Sequence, residues 1–185
     1  EGKKKKEGEE EWKAYGNAIY IEKGEKITIE NLLYGLMLRS GNDAAIVLAK
    51  NVSGNMDNFV QLMNELAGKI GMKNTTFIND NGLEDNDGNG NISTAYDMAL
   101  LTTYAYKNDE FRKIIGTKDI TVKSSSKTYR WHNKNKLLQI TDFVTGGKTG
   151  YTIKAKRTLV TTAEKDNKKI TVVTLNDGND FADHL

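Results

Sequence analysis

A chain of 185 residues with 37% hydrophobic content can bury one substantial core, which points to one globular unit, at most with a subdomain. Lysine plus arginine total 27 against 25 acids, so the formal charge of +2 excludes the broad basic field of a nucleic-acid binder, and zero cysteine excludes disulfides, thiolate nucleophiles and cysteine metal sites. No apolar run approaches the roughly 18 residues needed to span a bilayer, and without proline the 17 glycines and the Asn/Asp clusters must mark the turns.

Residues 1–12, "EGKKKKEGEEEW", are low in complexity, with four lysines offset by neighbouring glutamates; they read as a charged linker or disordered segment. Residues 17–28, "NAIYIEKGEKIT", alternate weakly around Lys23-Gly24 and predict a short strand and turn, with Thr28 capping a helix. That helix runs to Arg39, and a second starts near Asp43; Ser40-Gly41-Asn42 lies between two apolar patterns. In "NMDNFVQLMNELAGKIG", Phe59, Leu62, Met63, Leu66 and Ile70 recur at helical spacing up to Gly71, which predicts a core helix closed by a left-handed glycine. "STAYDMALLTTYAYKN" follows, with Ser93 or Thr94 as cap and Asp97 in the first turn, and "DEFRKIIG" predicts a shorter helix.

From Asp119 the period changes to two. "DITVK", "KTYRW", "RTLVTTAE" and "KKITVVTLN" are rich in β-branched residues, and the last two are joined by the polar connection "KDN". Helices first and an antiparallel sheet after them indicate an α+β fold. The division is a mostly helical part over 13–117 and a sheet part over 118–185.

Several motifs invite chemistry and fail on inspection. Asp85-x-Asp87-x-Asn89-Gly90 matches the first half of an EF-hand loop, but the position of its bidentate glutamate holds Tyr96, so a polar surface loop is expected. His132 and His184 stand far apart without a second ligand at helical or strand spacing, so no zinc site is expected; no cofactor is expected either. Ser124-x-x-Lys127 sits in a serine-rich turn between strands and reads as coincidence. What remains is "FVTGGKTGYT". Lys148-Thr149-Gly150 at a strand edge sets an ammonium beside a hydroxyl and lets a ligand approach the backbone at the glycine, an arrangement suited to a carboxylate. Together with Ser40-x-Asn42 the signal becomes more specific, because each falls at a predicted structural boundary.

At these residues the chain resembles the penicillin-binding D-alanyl-D-alanine carboxypeptidases, serine acyltransferases of the β-lactamase/transpeptidase-like fold. "ITIENLLYGLMLRSGNDAAIVLA", "MNELAGKIGMKNTTFINDNGL", "STAYDMALL", "NKNKLL" and "GGKTGYTIKAKRTLVTTAEKDNKKITVVTLN" occur in the family's order. The resemblance implies an antiparallel sheet packed with helices plus a mostly helical subdomain, and a serine that attacks the penultimate D-alanine carbonyl to give an acyl-enzyme hydrolysed by water. By that resemblance, Lys148 and Thr149 would hold the terminal carboxylate of a peptidoglycan stem peptide or of a β-lactam, beside Gly150. Ser40 would pass a proton towards the leaving amine, Asn42 would bond the acyl-side amide and help orient the catalytic lysine, and the Tyr151 N–H would supply part of an oxyanion hole.

The family's Ser-x-x-Lys nucleophile and base are not found upstream of Ser40, so the expectation is a partial domain over 13–185, incomplete at both ends and inactive alone. Asn81 stands where many relatives carry histidine before Gly-Leu. Two other readings stay open: a peptidoglycan- or β-lactam-binding protein without a nucleophile, and a β-lactamase of the same fold, which no Glu-x-x-Leu-Asn segment supports. The resemblance implies an extracytoplasmic, cell-wall setting, with any membrane association made through segments outside this chain.

Overall fold

The structure, a computed structural model, describes residues 16–185; the charged segment 1–12 lies outside the described residues. Five helices precede the strands: α1 (Ile29–Arg39), α2 (Asn42–Ser53), α3 (Met56–Ile70), α4 (Ala95–Ala105) and α5 (Asp109–Gly116). Their ends follow the capping residues. The Thr28, Asn55, Thr94 and Asn108 side chains each accept a backbone N–H three residues on, and Gly71 closes α3 at φ 86°.

The strands form two sheets rather than the single sheet expected. β1 (Asp119–Lys123) and β2 (Thr128–His132) pair only with each other, while β3 (Val144–Thr152), β4 (Lys156–Lys165) and β5 (Lys168–Leu175) form an antiparallel sheet in that order. The cause is packing. Inward residues Val122, Tyr129 and Trp131 of the small hairpin lie against α1, in a cluster with Ile19, Leu32, Tyr34, Leu38, Leu48 and Ile114. Each large apolar side chain so buried contributes about 1.5–3 kcal/mol, which the three-stranded sheet could not offer a strand already committed to α1. A second cluster, Leu137, Leu138, Val144 and Leu159, lies at the β3–β4 sheet beneath a short helix α6 (Leu137–Ile140). A last turn of helix, α7 (Asp180–Asp183), adds Phe181 to it.

The β4–β5 connection pairs Lys165 with Lys168 across Asp166 and Asn167, both at positive φ, as a two-residue hairpin turn requires. Two further expectations are corrected. Residues 17–28 contain the turn at Lys23-Gly24 but no strand, because the Ile19 and Ile21 amides donate to the Asp43 carboxylate at 3.0 and 3.1 Å instead of to a neighbouring strand. Helix α3 is not a core helix: only Ala67 is buried and Leu62 is 45% exposed, since its main packing is against α2 and, less closely, α4.

Candidate active site

The first wall of the site is the corner between α1 and α2. Ser40 ends α1 in the left-handed conformation (φ 60°, ψ 43°), with its N–H bonded to Leu36 O at 3.0 Å, and Gly41 returns to extended geometry to start α2. A non-glycine residue pays roughly 1 kcal/mol to sit there. What holds the corner is Asp43. Its carboxylate accepts the N–H groups of Ile19, Ile21 and Ala44, while Asn42 N–H donates to Asn17 O at 2.8 Å, so residues 17–21 are strapped across the start of α2. Asn42 is buried; a Cβ at Gly16 would come within 2.9 Å of its Nδ2 and 3.4 Å of Leu83 Cδ1.

The second wall is β3, an edge strand. It reaches the corner by passing close over two neighbours at Gly146 and Gly147 (φ 154° and 148°), where a Cβ would lie 2.5 Å from Ile115 Cγ1 and 2.0 Å from Val160 O. Gly150 was expected to be bare for a ligand. The demand also comes from β4, because a Cβ there would meet Thr158 Oγ1 at 2.4 Å.

Ser40 and Lys148 meet. The Lys148 Nζ donates to Ser40 Oγ at 2.5 Å and to Thr149 O at 2.6 Å. A strand residue sends its C=O and N–H the same way, so with Thr149 O turned to Lys148 the amides of Thr149 and Tyr151 face the open edge. Tyr151 itself is 66% exposed. Burial, and then the charge of Lys134, bring the Lys148 ammonium down to about 8. Lys134 is in turn lowered by burial and by Arg39. Lys134 therefore adds positive charge beside Lys148, which favours an anion, and the short contact lets Lys148 pass a proton to Ser40.

Sequence reasoning overlooked Lys134 and Asp43. Lys134 lay inside the quoted "NKNKLL" without a role, and its neighbours build its position: Asn133 Nδ2 donates to Ile115 O and Thr117 O, and the buried Asn135 donates to Gly146 O at 3.4 Å. Asp43 looked like any acid in a first helical turn.

The remaining candidates are local. Ser124 Oγ accepts the amides of Ser126 and Lys127 within its turn, and the Lys127 ammonium goes to Glu22 and the Tyr20 carbonyl. Asp85 accepts the Asp87 and Asn89 amides and so closes its own loop. His132 pairs with Asp119; His184 is buried between Thr161 and Thr174. Asn81 accepts the Leu83 amide. Among the described residues no three potential ligands cluster as for a metal, and no helix is long and apolar enough to cross a membrane.

A family profile described as D-alanyl-D-alanine carboxypeptidase matches residues 3–179. A D-alanyl-D-alanine carboxypeptidase of Bacillus subtilis, DacF, is 37% identical over 159 residues, 85% of this chain and 40% of that protein. One from a Streptomyces species is 35% identical over 179 residues, covering 85% of this chain and 60% of the relative. Among solved structures, a D-alanyl-D-alanine carboxypeptidase from Mycobacterium tuberculosis superposes with TM-score 0.81 at 31% identity, over 88% of this chain and 61% of that one. A Streptomyces DD-transpeptidase variant gives 0.81 at 33% identity, over 86% and 65%. The chain thus spans between 40% and 60% of the length of these two curated relatives.

Proposed function

The chain belongs to the D-alanyl-D-alanine carboxypeptidase family, and on that footing we propose that it carries the substrate-gripping half of a serine-type enzyme removing the terminal D-alanine from peptidoglycan stem peptides. The nucleophile and its lysine come, in this reading, from a Ser-x-x-Lys segment outside these 185 residues. The observation that carries the reading is the 2.5 Å contact between Ser40 Oγ and Lys148 Nζ, which joins two sequence motifs into one cationic groove.

Each role follows from position. Lys148 and Thr149 bind the free carboxylate of the peptide, or that of a β-lactam, with Gly150 leaving the backbone open beside them. The Tyr151 amide, on the open strand edge, donates to the oxyanion formed as the carbonyl is attacked; a donor of this kind is worth about 2.7–4 kcal/mol. Ser40 relays a proton from the Lys148 side to the departing amine. Asn42, at the first turn of α2, bonds the acyl-side amide. Because the peptidoglycan wall lies outside the cytoplasmic membrane, the protein acts there, secreted and in the service of cell shape; any membrane attachment runs through segments outside these residues.

Labelling with a fluorescent penicillin tests the reading. The full-length gene product should acquire the label covalently and residues 1–185 alone should not. A full-length product that takes no label overturns the assignment, and labelling of the isolated chain overturns the placement of the nucleophile elsewhere.

A further inference from the structure

The segment from Ile78 to Ser93 was expected only to be a polar surface loop, yet it is cross-braced by its own side chains and tied to the end of β3. Inside it, Asn79 Oδ1 accepts the Gly82 amide at 2.7 Å while its Nδ2 donates to Leu83 O at 2.8 Å. Asn91 Oδ1 accepts the amides of Ile78 and Asn79, and an isolated bridge pairs Thr76 with Ile92. Two side chains then cross between this loop and the β3–β4 turn: Thr152 Oγ1 meets Glu84 Oε1, and Lys154 Nζ donates to Gly88 O at 2.8 Å.

Thr152 is the last residue of β3 and the neighbour of Tyr151. Its hydroxyl oxygen also accepts the Ala155 amide at 3.0 Å, so the single atom that takes the turn's N–H gives its own proton to Glu84. The turn needs such help. Ile153 and Ala155 are exposed, and Lys156 restarts the strand at φ 59°, so little packing holds the hairpin tip. The residue beside Glu84, Leu83, reaches the other wall, near Gly16 and Asn42. Leu83-Glu84 therefore ties the α1–α2 corner to the tip of β3.

We infer that Glu84 is a positioning residue, acting through Thr152 to fix the direction of the Tyr151 amide across the groove. The inference deepens the carboxypeptidase reading and rests on it for its catalytic consequence. An edge strand has no second partner to hold its terminal amides, and a donor must lie within a few tenths of an ångström of its working place to stabilise developing charge. Without Glu84 the Thr152 hydroxyl is free to rotate, the turn keeps only the Lys154–Gly88 tie at its tip, and Tyr151 N–H is present but misaimed. Its charge is not required, only its oxygen.

The test uses the full-length product. Glu84→Ala and Thr152→Val should each lower kcat on a D-Ala-D-Ala peptide by about tenfold with KM little changed, and the double variant should be no worse than either alone. Glu84→Gln and Thr152→Ser keep the acceptor and the hydroxyl and should restore most of the rate. Amide hydrogen exchange of Ala155, whose N–H is bonded to Thr152 Oγ1, should quicken in Glu84→Ala and return to wild type in Glu84→Gln. An unchanged kcat in Glu84→Ala, a loss confined to KM, or a Glu84→Gln variant as slow as Glu84→Ala would overturn the inference. If the wild-type product takes no penicillin, the functional reading fails on its own, and the exchange of Ala155 still decides whether Glu84 holds the strand end.

Discussion

The Lys148 ammonium and the Ser40 hydroxyl are 2.5 Å apart in space and 108 residues apart in sequence. One sits on an edge strand that passes its neighbours only where glycines leave room, the other at a helix corner held by a buried aspartate. Neither wall makes a site alone. Their contact creates a groove where a carboxylate finds a cation, a hydroxyl and open amides at once.

Lys148 should impose a pH limit. Burial and Lys134 hold its ammonium at about 8, and only the protonated form attracts a carboxylate. Second-order acylation of the full-length product by a penicillin should therefore be insensitive to Lys148 below that pH and fall about tenfold per unit above it. Lys148→Arg, which stays charged, should move the fall to higher pH even if the plateau is lower. A wild-type profile flat to pH 10 would remove the ammonium from substrate binding.

Ser40 trades stability for its hydroxyl. At φ 60° a glycine would be relaxed where serine is strained. Ser40→Gly should raise the free energy of unfolding by about 0.5–1 kcal/mol in urea titration while slowing acylation. A variant that is less stable as well as slower would mean the serine side chain, not the backbone, supports the corner.

Asp43 should be structural and expensive to remove. Its carboxylate takes three amides, two of them on the strap at residues 19 and 21. Asp43→Ala leaves these donors without a partner and should cost about 2–4 kcal/mol in equilibrium unfolding. A loss below about 0.5 kcal/mol would show that water replaces the carboxylate.

The glycines divide sharply. Gly147→Ala would set a Cβ 2.0 Å from Val160 O at φ 148°, so it should break β3–β4 pairing and abolish penicillin labelling in the full-length product. Gly68→Ala, inside α3 with open space at its Cβ, should instead stabilise by about 0.5–1 kcal/mol. Thermal melts of both variants check the pair.

Local rules were readable in the chain. Thr28 and Gly71 mark helix ends, Ser93-Thr94 brackets another, Asp166-Asn167 marks a hairpin, and Ser40 and Lys148 each fell at a boundary. Partners were not. Period-two patterning announces that "DITVK" and "KTYRW" are strands but not that Trp131 and Tyr129 draw them onto α1, away from the main sheet. The alternation at Ile19 and Ile21 looks like a strand because nothing local reveals that their amides end on Asp43. The spacing in α3 defines an apolar face without saying what covers it. Glu84 was illegible for the same reason, since its partner Thr152 lies 68 residues downstream.

A double-mutant cycle on penicillin acylation of the full-length product, with Ser40→Ala and Lys148→Ala, probes the groove most directly. If the two side chains act as one unit, their effects overlap, with a coupling of about 1 kcal/mol or more. Additive losses would mean that the hydroxyl and the ammonium work on separate problems, and the two-walled site would be wrong.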